Sequence, residues 1–157
     1  MDRPTRERLI ARYKDGCRVV AEALEGATEA ELDARPVPSK WSAREIVHHL
    51  ADSEMMSAIR LRLLLAEDRP TIQNYDQAEF ARRLHYDRPI GAAADAFQAI
   101  RRATAEILDR MTDAEWGREG THTAHGRYTI EHWLEIYGDH AFHHAEQITR
   151  ARAAAGR

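Results

Sequence analysis

Histidine is the side chain in this sequence with the most capacity for chemistry. Nine occur in 157 residues, at 48, 49, 85, 122, 125, 132, 140, 143 and 144. His140 and His144 stand four apart in a helix-period segment, which places both rings on one helical face, close enough to share one metal ion. The spacing alone is weak, because this many histidines produce about half of one such pair by chance. A third ligand from elsewhere in the chain is needed. His49 is the candidate, since it lies on an apolar stripe with Ile46 and Leu50, where an imidazole is out of place unless it has a partner. Helical geometry turns His48 and His143 about 100° away from these neighbours, and both are expected at the solvated surface.

Three neutral imidazoles without a fourth protein ligand leave coordination positions open, the pattern of a catalytic rather than a structural site. Asp52, one turn after His49, is the candidate carboxylate to orient a ligand ring. His122 and His125, in a loop, form a poorer two-ligand grip. Cys17 is the single cysteine, so no intramolecular disulfide can form, and its place in an apolar pattern reads as core. No phosphate-binding glycine loop, Ser-His-Asp elbow or Cys-His nucleophile pair is present.

The elements that must position these residues are helices. Residues 5–24 repeat Leu9, Ile10, Tyr13, Cys17, Val20, Ala21 and Leu24 at three- and four-residue steps. A second long helix is expected over 42–66, opening on the Ser42–Glu45 capping box and turning Ile46, His49, Leu50, Ser53, Met56, Ala58, Ile59 and Leu63 inward. A loop over 70–76 leads to a short helix over 77–84. A third long helix over 92–111 buries Ala96, Ile100, Thr104, Ile107, Leu108 and Met111, and the last covers 129–153. Thr28–Glu31 and Thr112–Glu115 have the capping-box form as well. Residues 121–128 are the one candidate hairpin, with Gly126 in its turn. Four helices of about 20 residues make an all-α four-helix bundle the natural fold, in one domain spanning 1–157. The halves echo each other faintly, as if a helical hairpin were duplicated, which would set the helices carrying His49 and His140 face to face.

Twenty-three Lys and Arg against 26 Asp and Glu give a net charge of −3, with no basic stripe for nucleic acid. No apolar run reaches membrane-spanning length, and the charged N-terminus lacks a secretory apolar segment, so a soluble cytoplasmic protein without a membrane partner is expected.

The run Trp41-Ser42-Ala43-Arg44-Glu45-Ile46-Val47-His48-His49-Leu50-Ala51-Asp52-Ser53 resembles the signature of the DinB/YfiT-like superfamily. So do Ile59-Arg60 through Pro70-Thr71-Ile72 and Tyr75-Asp76, and Tyr137-Gly138-Asp139-His140 through His143-His144-Ala145-Glu146-Gln147-Ile148. The resemblance implies a four-helix bundle that binds one divalent metal ion, zinc or nickel, through His49, His140 and His144. It also implies a homodimer and, as the best-understood activities, mycothiol-dependent isomerisation or thiol S-transfer, the latter with a low-molecular-weight thiol as cosubstrate and a small electrophile as acceptor. Glu54 departs from the pattern, standing where a YfiT-type sequence can have another histidine. Two other readings of the same site remain: a hydrolase with water on the metal, and a non-catalytic, stress-linked metal-binding protein.

Overall fold

Four long helices form where the apolar period runs uninterrupted and a polar cap starts it. The computed structural model describes residues 1–156. The long helices are α1 (Arg3–Leu24), α3 (Ala43–Ala66), α5 (Gly91–Leu108) and α7 (Ile130–Arg152). The short ones are α2 (Glu29–Asp33), α4 (Gln77–Arg83) and α6 (Asp113–Trp116). All three capping boxes form, at Thr28/Glu31, Ser42/Glu45 and Thr112/Glu115, each pairing a cap hydroxyl and a carboxylate with backbone N–H groups.

The bundle is ordered so that α7 and α5 each pack against both α1 and α3. The consecutive long helices α1 and α3 therefore lie across a diagonal, as do α5 and α7. This corrects the expected helical hairpin, because α2 and its flanking turns carry the chain across the bundle. The two histidine-bearing helices, α3 and α7, are direct neighbours.

A small sheet caps one end. The strands β2 (Glu119–His122) and β3 (Gly126–Thr129) pair antiparallel, one or two residues wider than the expected hairpin, with Gly126 at φ 77° in the turn. A third strand, β1 (Thr71–Ile72), lies in the segment read as loop, pairs parallel with β2 and buries Ile72. Two residues carry too little pattern to announce a strand; burial of one side chain and pairing with β2 create it.

Two apolar clusters fill the bundle. One contains Val20, Ile46, Val47, Leu50, Phe97 and Ile148, and the other Leu9, Tyr13, Leu61, Leu64, Trp133 and Leu134. Between them along each helix lies a buried polar layer centred on Arg101. Its Nε donates to Glu54 Oε2 at 3.1 Å, its Nη1 to the Tyr13 carbonyl at 2.9 Å and its Nη2 to the Tyr137 carbonyl at 3.1 Å. The Tyr13 hydroxyl donates to the other Glu54 oxygen. One side chain of α5 thus joins α1, α3 and α7, and Gly16 leaves room for it: a Cβ there would stand 2.0 Å from Arg101 Nη1. The third helix was expected to bury Ala96 and Ile100; it buries Ala93, Phe97 and Arg101 instead, because Arg101 must reach the centre of the bundle. Ile59, expected inward, is 52% exposed.

Candidate metal centre

Each candidate ligand is placed by a local rule and a tertiary one. The i, i+4 spacing aligns His140 and His144 on α7, and the packing of α7 against α3 brings His49 to them. One ring nitrogen from each of the three falls within 4.8 Å of the others, and among the described residues no other group of three metal-ligating side chains converges in this way. The His140 and His144 Nε2 atoms lie 3.2 Å apart. Two nitrogen ligands at about 2.05 Å on a tetrahedral ion would be about 3.3 Å apart, so this spacing fits a shared cation.

The site is prepared for a cation by protonation state. Burial pushes His49 down to about 3 and His144 down to about 4, and drives His140 well below the usual imidazole range. Desolvation is the main cause in each case; the neighbouring His144 lowers His49 and His140 further, and Arg101 adds to the effect at His140. All three rings are therefore neutral at pH 7, with lone pairs available to a metal.

Gln147, one turn after His144, fixes that ring. Its Oε1 accepts from His144 Nδ1–H at 2.9 Å, which leaves the His144 Nε2 lone pair facing His140. Its amide nitrogen donates to His143 Nε2 at 2.8 Å. Trp41, in the connection before α3, packs on His49 with ring centroids 4.9 Å apart. The centre opens through His144 into a cleft of ≈ 570 Å³ lined by Lys40, Trp41, Ile46, Gln77, Gln147 and Arg150, among others. A substrate can thus approach from one side while the helices close the other.

Two sequence expectations are corrected. Asp52 does not orient a ligand ring: its Oδ2 accepts the Tyr86 hydroxyl at 2.7 Å, and Gln147 does the orienting. His48 is fully buried rather than solvated, with Nε2 donating to the Arg88 carbonyl at 2.9 Å, because the segment after α4 folds over this face of α3. His143 is exposed, as expected. His122 lies on β2, with Nδ1 accepting from the Ala124 N–H and its ring stacked on His125, and among the described residues no third ligand joins the pair. Of the residues missed, Gln147 was legible as a polar side chain three residues after His144, whereas nothing near Tyr86 in sequence points to Asp52. No described helix is long and apolar enough to cross a membrane.

Known proteins resemble this one over most of its length. A protein from Oceanobacillus iheyensis, provisionally named a metal-dependent hydrolase, is 29% identical over 89% of this chain and 81% of its own. YfiT from Bacillus subtilis, provisionally named likewise, is 34% identical over 82% of this chain and 73% of its own. The solved structure of B. subtilis YfiT, described as having an unusual four-helix bundle topology, superposes with a TM-score of 0.91 and 26% identity, covering 99% of this chain and 90% of that one. The DinB superfamily model matches residues 12–148. With that span matched and the fold shared, the chain belongs to the DinB superfamily.

Proposed function

We propose that this protein is a metal-dependent S-transferase in which His49, His140 and His144 hold one divalent cation, zinc or nickel, and a low-molecular-weight thiol is the nucleophile. The observation that carries the reading is the donor set: three neutral imidazoles at the base of an open cleft, with no carboxylate or thiol among them to close the coordination sphere. A dication held there by His49, His140 and His144 would supply the positive charge that lowers the pKa of a thiol, ordinarily near ~8.5.

The protein's own residues then bind and orient. Gln147 holds the His144 tautomer, and Trp41 shields one side of His49. The cleft between Trp41, Gln77 and Arg150 admits the electrophile. Thiol chemistry is favoured over hydrolysis because, among the described residues, no carboxylate near the ligands is free to move protons. Asp52 is engaged by Tyr86, Glu54 by Tyr13 and Arg101, and Glu146 is exposed on the surface of α7. The names of the relatives favour the second reading, hydrolysis with water as the nucleophile.

The test is turnover of monochlorobimane by the zinc- or nickel-loaded protein with a panel of thiols, beside hydrolysis of an activated ester in thiol-free buffer. Conjugation that needs both thiol and metal supports the transferase. Ester hydrolysis without thiol, and no conjugation with it, replaces that reading with the hydrolase. Neither activity, with metal retained, leaves a metal-binding protein without catalysis.

A further inference from the structure

Among the described residues three arginines are buried, and they differ in one respect. Arg44 pairs with Glu29 and Asp33, and Arg101 pairs with Glu54. Arg60 is 8% exposed and has no carboxylate within 4.0 Å among the described residues. A buried guanidinium without a counter-charge is costly unless something anionic meets it. Its Nη1 donates to the Tyr137 hydroxyl at 3.1 Å and its Nη2 to the Gln73 carbonyl at 2.9 Å, while its Nε is buried without a partner.

The surroundings add neutral hydroxyl groups. The Tyr75 and Tyr128 hydroxyls are also buried without a hydrogen-bond partner, and the Arg60 guanidinium sits 5.6 Å from the Tyr75 ring centre. Burial raises the Tyr75 and Tyr128 hydroxyls above their usual range, so both keep their protons at any working pH. These residues come from α3, the segment after β1, β3 and α7, so four separate elements deliver them to one place.

That place adjoins the metal centre. Tyr137 precedes His140 by three residues on α7, with ring centroids 5.6 Å apart. The guanidinium is covered by the segment 73–75, whose Gln73 and Asn74 are exposed, and two residues further on Gln77 lines the cleft. One short segment therefore runs from Arg60 to the mouth of the three-histidine site.

We propose that Arg60, with Tyr75, Tyr128 and Tyr137, is the anchor for the carboxylate of a small anionic substrate, which enters where residues 73–75 lift. A single cation with neutral hydroxyl donors suits a monoanion such as a carboxylate better than a phosphate dianion. The anchor's part in turnover rests on reading the three histidines as a reaction centre, whereas its affinity for a carboxylate does not.

The experiment titrates propionate, its neutral isostere propionamide and inorganic phosphate into metal-free and zinc-loaded protein. Binding is followed by calorimetry and by the Arg60 Nε–H resonance. Propionate is expected to bind saturably, with affinity about tenfold lower for propionamide and about tenfold lower in Arg60→Gln, part of it recovered by Arg60→Lys. Equal binding of the amide, preference for phosphate, an unaffected Arg60→Gln, or no saturable binding by the wild type would each overturn the assignment. Tyr128→Phe, which removes one donor and keeps the ring, covers the case in which Arg60→Gln does not fold: a several-fold loss is expected, and an unchanged affinity overturns the anchor. Zinc uptake by the same samples separates the two proposals. Zinc binding without carboxylate binding rejects the anchor alone, and carboxylate binding without zinc rejects the metal centre alone.

Discussion

Both ring nitrogens of His144 are engaged: its Nδ1–H donates to Gln147 Oε1 at 2.9 Å, which leaves its Nε2 to accept from His140 Nε2 at 3.2 Å. Without a metal one proton joins these two nitrogens, and a cation shared by their lone pairs would take its place. The first prediction follows. The purified protein should take up one zinc or nickel per chain, and His49→Ala and His144→Ala should each lose it, as measured by elemental analysis after dialysis. Full retention in either variant would remove that histidine from the ligand set.

Gln147 is predicted to matter through His144 rather than through the fold. Gln147→Leu should weaken zinc affinity by roughly 10- to 100-fold, the usual effect of removing a group that orients a ligand. Competition with a chromophoric chelator measures the affinity, and circular dichroism should show unchanged helicity. An affinity equal to wild type would mean that packing alone holds the ring.

The three histidines also set a pH dependence for the metal-free protein. Their folded-state values are depressed, to about 3 for His49 and about 4 for His144, against an ordinary 6.5. Between those limits the unfolded chain binds more protons than the folded one, so stability falls as pH drops below 6.5. The urea midpoint should therefore be lower at pH 5 than at pH 7, before most carboxylates titrate. The drop should shrink in a variant with His49 and His144 both replaced by Gln.

The buried Arg101–Glu54 pair should be costly to break from one side. Glu54→Gln leaves the guanidinium without its counter-charge and is expected to lose about 3–5 kcal/mol, read from urea unfolding. Replacing both by apolar residues, Glu54→Leu with Arg101→Met, should recover much of that loss. A single variant as stable as wild type would show that the two carbonyl contacts of the guanidinium suffice.

Gly16→Ala tests the same layer by steric means. The added methyl would meet Arg101 Nη1 and, at 2.7 Å, Ala141 Cβ on α7. A loss of about 1–3 kcal/mol is expected from overpacking. Gly91→Ala, where a Cβ would meet nothing within 4 Å, is the matched control and should not destabilise.

The sequence by itself determined what depends on near neighbours. Helix starts at Thr28, Ser42 and Thr112 are legible because a capping box is a contact between residues three apart. The His140/His144 pair is legible because α-helical periodicity alone puts both rings on one face. His49 stood out because an imidazole on an apolar stripe calls for a partner. Tertiary structure decided what depends on which surfaces meet. His48 and His49 are adjacent in sequence and alike in chemistry, yet one faces α7 and the other the Arg88 carbonyl. Asp52 lies one turn from His49, but Tyr86, 34 residues away, claims its carboxylate. Arg101 reads as a surface charge until three helices present two carbonyls and a carboxylate to it. The physical reason is common to all three. A buried polar group must be satisfied, and the partner that satisfies it is chosen by the packing of distant elements, which no local pattern records.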